Sequence, residues 1–155
     1  VPLLLVELIL VMKLSKSETV SKSVRLGVLA AVMIILGYPG EISQVAGTRW
    51  LWWTLAMIPF LWIVYELFVG LKSSLASQPA EVRGLVNSAR WLVLVSWSFY
   101  AVVFIFPMIG FSGGAASTAV QIGYSISDVV AKAVFGILIY MIAVRKSAAE
   151  GYIVD

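Results

Sequence analysis

Inside the apolar run Thr118 to Val144, one carboxyl and one amine stand a helical turn apart: Asp128 and Lys132. The run is long enough to cross a bilayer as a helix, and a charge near its middle costs about 2.5–3.5 kcal/mol on insertion scales. At i and i+4 the two groups share a helix face, so the carboxylate can pair with whatever cation Lys132 carries. An intramembrane ionisable pair points to function. A third group, Glu7, stands alone in the apolar segment Val1 to Met12, about 9 Å from Lys13 along a helix axis at 1.5 Å per residue. An unpaired carboxyl in such a layer is favoured with its proton on.

Lysine is also the residue that condenses with an aldehyde. A membrane-borne aldehyde would be long and apolar. Trp97, Tyr100 and Phe104 at i, i+3 and i+7 could wall it, with Met33 and Gly37 on one neighbouring segment and Trp53 and Phe60 on another closing the box. Taken alone, such aromatic positions are more often ordinary helix packing.

The elements that carry these groups must live in lipid. Of the residues, 61% are hydrophobic and 12% charged, and mean hydropathy is +1.01, which together describe an integral membrane protein. With no Cys and no His, disulfides, thiolate chemistry, zinc sites and Ser/His or Cys/His catalysis are excluded within the chain. Hydrolytic catalysis is therefore not expected, and the chain is read as a membrane protein that is not an enzyme. Its net charge of +3 forms no basic cluster dense enough for nucleic acid.

Five apolar segments follow, without repeats. Val1 to Met12 is too short to span, so the chain is expected to begin inside a helix. Leu26 to Tyr38 is closed by the breaker string Gly37-Tyr38-Pro39-Gly40, and Trp50 to Leu71 follows. Pro79, two residues after Ser77, is expected at the first helical position of a fourth helix that enters the membrane near Trp91 and leaves near Pro107. The fifth carries Asp128 and Lys132. The expected architecture is an all-α integral membrane bundle forming a single transmembrane domain over residues 1–155.

Basic residues orient it. Lys13, Lys16, Lys22, Arg25, Lys72, Arg83, Arg90, Arg145 and Lys146 fall on one side, whereas the connections Glu41 to Arg49 and Phe111 to Ser117 hold Arg49 alone. By the positive-inside rule the C-terminal tail is cytoplasmic and Val1 lies toward the outside. On the fifth helix Gln121, Tyr124, Ser125 and Asp128 make a polar outer half, and Phe135, Gly136 and Ile139 a dry inner half. Glu41 and Glu66 lie near membrane edges and read as interfacial.

Four strings then coincide in order: Val1-Pro-Leu-Leu-Leu-Val-Glu7, Leu36-Gly-Tyr-Pro-Gly-Glu41, Trp97-x-x-Tyr100 and Ser127-Asp-Val-Val-Ala-Lys132. Together they resemble the microbial rhodopsins, specifically the proteorhodopsin and xanthorhodopsin-like proton pumps, over the whole chain. The resemblance implies the C-terminal five helices, the first truncated, of a seven-helix retinal protein, with the N-terminal two and a half helices absent. It implies that Lys132 binds all-trans retinal as a protonated Schiff base, that Asp128 is a counterion, and that Glu7 is the proton donor from the cytoplasmic side. It further implies retinal contacts at Leu4, Met33, Gly37, Trp53, Phe60, Trp97, Tyr100, Phe104 and Ala131. The family's primary proton acceptor falls in the part that this sequence does not match. A lipid bilayer, the transported proton and a possible homo-oligomer are the partners implied, in a bacterial inner membrane.

Finer expectations rest on the same resemblance. Leu4 resembles the green-absorbing type. Trp53 stands where carotenoid-binding relatives have Gly, so no carotenoid antenna is expected. Ala101 replaces the Pro that usually follows the Trp-x-x-Tyr pair, which bears on the hinge of the fourth segment. The competing readings are a sensory rhodopsin that signals to a membrane partner, a chloride pump, and a retinal-free secondary transporter built on the Asp128 and Lys132 pair.

Overall fold

The structure, a computed structural model, describes residues 2–111 and 113–152. The expected start of the first segment at Val1, position 112 in the Phe111 to Ser117 connection, and the end of the expected domain at residues 153–155 lie outside the described residues. Helices carry nearly all of the described residues: α1 (Pro2–Val11), α2 (Lys16–Ile42), α3 (Ala46–Tyr65), a π turn (Glu66–Gly70), α4 (Lys72–Ala76), α5 (Ala80–Ile105), a 3₁₀ turn (Phe106–Ile109) and α6 (Gly114–Ala149). Four stretches are long and apolar enough to cross a bilayer: Lys16–Ile42, Ala46–Ala76, Ala80–Ile109 and Gly114–Ala149. At 10 residues α1 is short of that length. The multi-pass membrane architecture follows from these spans.

Local signals explain most ends. Ser15 caps α2, its Oγ accepting from the Glu18 N–H at 3.3 Å while donating to the Glu18 carboxylate at 2.9 Å. Pro79 is the cap residue of α5 and not its first helical residue as expected; its carbonyl accepts from Val82 and Arg83, so the helix opens at Ala80. The larger correction concerns Gly37-Tyr38-Pro39-Gly40, which does not end α2. The helix runs through Pro39 to Ile42. A proline removes one ladder bond, whereas leaving the helix in an apolar layer would strand several backbone groups. Gly40 serves contact instead: a Cβ there would meet Trp52 Cβ at 3.0 Å and Phe104 at 3.1 Å.

Third, the expected segment Trp50 to Leu71 contains a π turn. Widening the turn frees carbonyls, and cations from neighbouring helices take them: Arg90 Nη1 donates to Leu67 O at 2.9 Å and Lys22 Nζ to Gly70 O at 3.0 Å. Arg25 meets the Glu66 carboxylate at 2.9 Å. Glu66, expected to be interfacial, is thus a largely buried partner of Arg25.

α2 pairs with α3, α5 with α6, and α1 lies against α2 and α6. The close-packed core joins Leu5, Leu8, Ile9 and Met12 to Leu26, Ile63, Leu67, Val86, Phe135 and Ile142. All of these lie in the half of the bundle nearer Lys13. The outward faces are apolar as well, with Val28, Ile35, Leu61, Val95, Val129 and Ile137 exposed, as suits surfaces solvated by lipid or by further helices.

Candidate functional site

Away from the packed half, α2, α3, α5 and α6 separate around a cavity of about 470 Å³. Its wall contains Met33 and Gly37 of α2, Trp53 and Phe60 of α3, Trp97, Tyr100 and Phe104 of α5, and Asp128 of α6. The structure therefore brings together residues that the sequence could relate only by spacing. Trp97 and Phe60 are buried, and Trp53, Tyr100 and Phe104 half-buried. α3 is tied to α5 across the cavity by Trp53 Nε1, which donates to Ala101 O at 3.0 Å.

Ala56, Met57, Ala101, Glu41 and Tyr124 also line this space. Ala56 and Met57 were legible in principle: with Trp53 and Phe60 they complete the i, i+3, i+4, i+7 stripe of one helix face. Nothing along the chain pointed to Glu41 as a wall residue.

Lys132 Nζ lies 2.5 Å from Asp128 Oδ2, the i, i+4 pair expected from the sequence. Tyr100 Oη donates to Asp128 Oδ1 at 3.2 Å, so one carboxylate holds the amine and the α5 phenol together. This link joins residues 28 apart and has no sequence signal. The pair is not sealed: side-chain exposure is 65% for Lys132 and 50% for Asp128, and only Asp128 reaches the cavity wall. Ala131 is buried on α6 and Leu4 half-buried against the core, but neither is among the wall residues of the cavity.

A second cavity of about 580 Å³ opens toward the Arg49 end. Glu41, Phe104 and Tyr124 belong to both walls, while Arg49, Ser43, Ser117 and Gln121 make the second one polar. The Tyr124 ring stacks on Tyr100 with centroids 5.5 Å apart. Arg49 lies over the Phe104 ring at 4.7 Å. Of the expected polar half of α6, Gln121 and Tyr124 line this second cavity, whereas Phe135 of the other half is buried in the core.

Glu7 departs from expectation. It is exposed, and lines a groove between α1 and α6 with Leu10, Lys13, Ile139, Ala143 and Lys146. The carboxyl therefore shares its surroundings with two amines instead of standing alone in an apolar layer. Lys146, read as a tail cation, is buried in the last turns of α6, where its Nζ donates to Met12 O and to Gln78 Oε1.

The profile of the family described as bacteriorhodopsin-like protein matches residues 1–146. Archaerhodopsin-2 of Halobacterium sp. (strain aus-2) is 34% identical over 140 residues, which make up 89% of this chain and 51% of that protein. Green-light absorbing proteorhodopsin of Gamma-proteobacterium EBAC31A08 is 28% identical over 149 residues, 96% of this chain and 59% of that protein. Among solved structures, xanthorhodopsin, described as a light-driven ion pump with dual chromophore, superposes with a TM-score of 0.90 at 48% identity. That alignment takes in 99% of this chain and 62% of xanthorhodopsin, so the chain spans between half and two thirds of the length of these proteins. By profile, sequence and fold together, the chain belongs to the bacteriorhodopsin-like family, the microbial rhodopsins.

Proposed function

We propose that this chain is the C-terminal five-helix part, residues 1–155, of a light-driven pump that carries protons out of a bacterial cell, with Lys132 covalently holding all-trans retinal. One observation carries the reading: an aromatic cavity of about 470 Å³ whose wall includes the carboxylate paired with the only amine on that stretch of α6. That volume is in the usual range of ligand sites, and the wall is apolar except at Glu41, Tyr124, Tyr100 and Asp128. These residues fit a long apolar aldehyde. When bound, retinal supplies the absorption of light and the isomerisation that changes where the proton on the Lys132 nitrogen can go.

The chain's own residues do the rest. Asp128 balances the cation at Lys132 and, with Tyr100, orients it. Trp97, Phe60 and Trp53 hold the polyene and exclude water. Glu7 returns a proton to the Lys132 nitrogen from the Lys13 end, which we read as cytoplasmic because the basic residues gather there. Leu4 on α1 and Ala131 on α6 are carried over from the resemblance as chromophore contacts, although neither lines the cavity. Trp53 fills the side of the cavity that a second pigment would need, so a single chromophore is expected. The names of the relatives, archaerhodopsin and proteorhodopsin, and the description of xanthorhodopsin support the reading.

The test is an absorption spectrum of the full-length protein made with all-trans retinal, beside Lys132→Ala. A visible band that is lost in the variant, with light-driven acidification outside the cell, is the expected outcome. A band without acidification favours a sensory role. No band in either protein returns the Asp128 and Lys132 pair to a retinal-free transporter.

A further inference from the structure

Where α2 meets α3 at the Lys13 end, two cations of α2 reach across and find different partners. Arg25 Nη1 donates to the Glu66 carboxylate at 2.9 Å, and Trp62 Nε1 donates to the same oxygen at 3.4 Å, so that anion is taken. Lys22 Nζ donates to Gly70 O at 3.0 Å, a neutral carbonyl, and makes no ion pair among the described residues. The amine is thus held in place with its charge unmatched. The Arg25 guanidinium uses Nη1 alone among the described residues and is 58% exposed, which leaves it further donors. Ser17, Glu18 and Ser21 complete a depression of about 340 Å³ around these two cations.

An apolar track leads away from this depression on each helix. On α2, exposed Ser21, Val24, Val28 and Ile35 recur on one face at helical spacing, so the stripe turns from polar to apolar as it leaves the helix end. On α3, Ile58, Trp62, Tyr65 and Val69 form an exposed stripe that ends at the same level. The Arg25 and Glu66 bridge joins the two helices between these stripes.

We propose that this corner binds one anionic phospholipid with a hydroxylated headgroup, of the phosphatidylglycerol class, in the leaflet at the Lys13 end. Its phosphate oxygens accept charge-assisted hydrogen bonds from the remaining N–H groups of Lys22 and Arg25. Glu18 selects the rest of the headgroup: a carboxylate on the wall accepts from hydroxyls and repels a second phosphate. The acyl chains lie along the α2 and α3 stripes, with the Trp62 indole at the boundary where its ring meets chains and its N–H meets Glu66. A soluble phosphate would leave both stripes uncovered. The site depends on the membrane spans and not on which ion the protein carries.

Full-length protein in phosphatidylcholine vesicles tests this, with a rising fraction of bromine-labelled phosphatidylglycerol or, in a parallel series, bromine-labelled phosphatidylcholine. The Trp62 signal is wild-type fluorescence minus that of Trp62→Phe. Half-quenching of Trp62 is expected at an about ten-fold lower fraction of phosphatidylglycerol than of phosphatidylcholine. Lys22→Gln raises the phosphatidylglycerol fraction required by about five-fold, the contribution of one basic residue at a membrane surface. Arg83→Gln, which removes an exposed cation outside the depression, leaves it unchanged. Labelled phosphatidylmethanol, with the charge but without the hydroxyls, falls between the two lipids; quenching equal to that by phosphatidylglycerol overturns the headgroup assignment. Relief of quenching by millimolar glycerol phosphate would mean that the depression takes a soluble phosphate and overturns the lipid assignment. Equal quenching by phosphatidylglycerol and phosphatidylcholine overturns the site, and quenching by neither means that another protein surface covers this face and overturns it as well. If Lys22→Gln does not fold, the wild-type comparison decides alone. No arm uses light, so failure here leaves the pump reading untouched.

Discussion

The indole of Trp53 on α3 donates its one hydrogen bond to the backbone carbonyl of Ala101 on α5, across 3.0 Å and 48 residues of sequence. Trp53 also meets Trp50 edge to face, with centroids 5.8 Å apart, so its ring is held on two sides. An i−4 carbonyl in α5 thus gains a second donor next to the cavity, and the indole becomes a fixed part of the wall.

Trp53→Phe keeps an aromatic ring and removes the donor. Loss of one part-buried hydrogen bond whose acceptor retains its helical partner costs about 1 kcal/mol, read as a lower temperature for bleaching of the visible band. Trp53→Gly opens the side of the cavity altogether. Added carotenoid is expected to sensitise the pump in Trp53→Gly and not in wild type, measured as a carotenoid peak in the action spectrum. Sensitisation of the wild-type protein would show that the indole does not close that side.

Gly40 predicts a contrast between glycines of the same chain. A side chain there meets Trp52 and Phe104 at 3.0–3.1 Å, whereas Gly136 has nothing within 4 Å of an added Cβ. Gly40→Leu forces α2 away from α3 and α5 and costs about 1–3 kcal/mol, the range for overpacking. Gly136→Ala gains helix propensity of up to about 1 kcal/mol. Thermal unfolding in detergent, followed by circular dichroism, separates the two; equal effects would place the constraint elsewhere.

The same glycine marks what the sequence could and could not reveal. Hydropathy located every span and the Asp128 and Lys132 pair, because long apolar runs and the i, i+4 rule are local properties. Gly37-Tyr38-Pro39-Gly40 misled because turn chemistry learned in water loses force where the backbone has no water to turn to. The π turn at Glu66–Gly70 was not legible, since it is sustained by Lys22 and Arg90 from other helices. Glu7 was placed in a dry layer by its distance from Lys13, but only the packing of α1 on α6 brings Lys146 into its groove.

Lys146 is the test of that packing. Its amine caps the end of α1 at Met12 O and takes Gln78 Oε1 from the turn before α5, so one buried cation joins three elements. Lys146→Met preserves the aliphatic stem and leaves both acceptors without that donor, at an expected cost of about 1–3 kcal/mol. Equilibrium unfolding in mixed detergent micelles measures it. Arg145→Met one residue earlier, whose contact with Glu81 is an exposed 3.7 Å pair, is expected to change stability by under about 1 kcal/mol. A comparable loss in both would mean that net positive charge at this end, and not the buried bonds of Lys146, supports the fold.

Glu7→Gln separates function from stability in the opposite sense. The side chain is exposed and makes no hydrogen bond or ion pair among the described residues, so its removal is expected to leave unfolding unchanged within about 0.5 kcal/mol. Return of the proton to the Lys132 nitrogen should nevertheless slow by about a hundred-fold or more at neutral pH, the scale of a lost general acid. The reading is the recovery of the visible band after a flash. Because an amide cannot give up a proton but a small acid can diffuse along the groove, added azide is expected to restore much of the rate. Recovery at the wild-type rate without azide would remove Glu7 from the proton path.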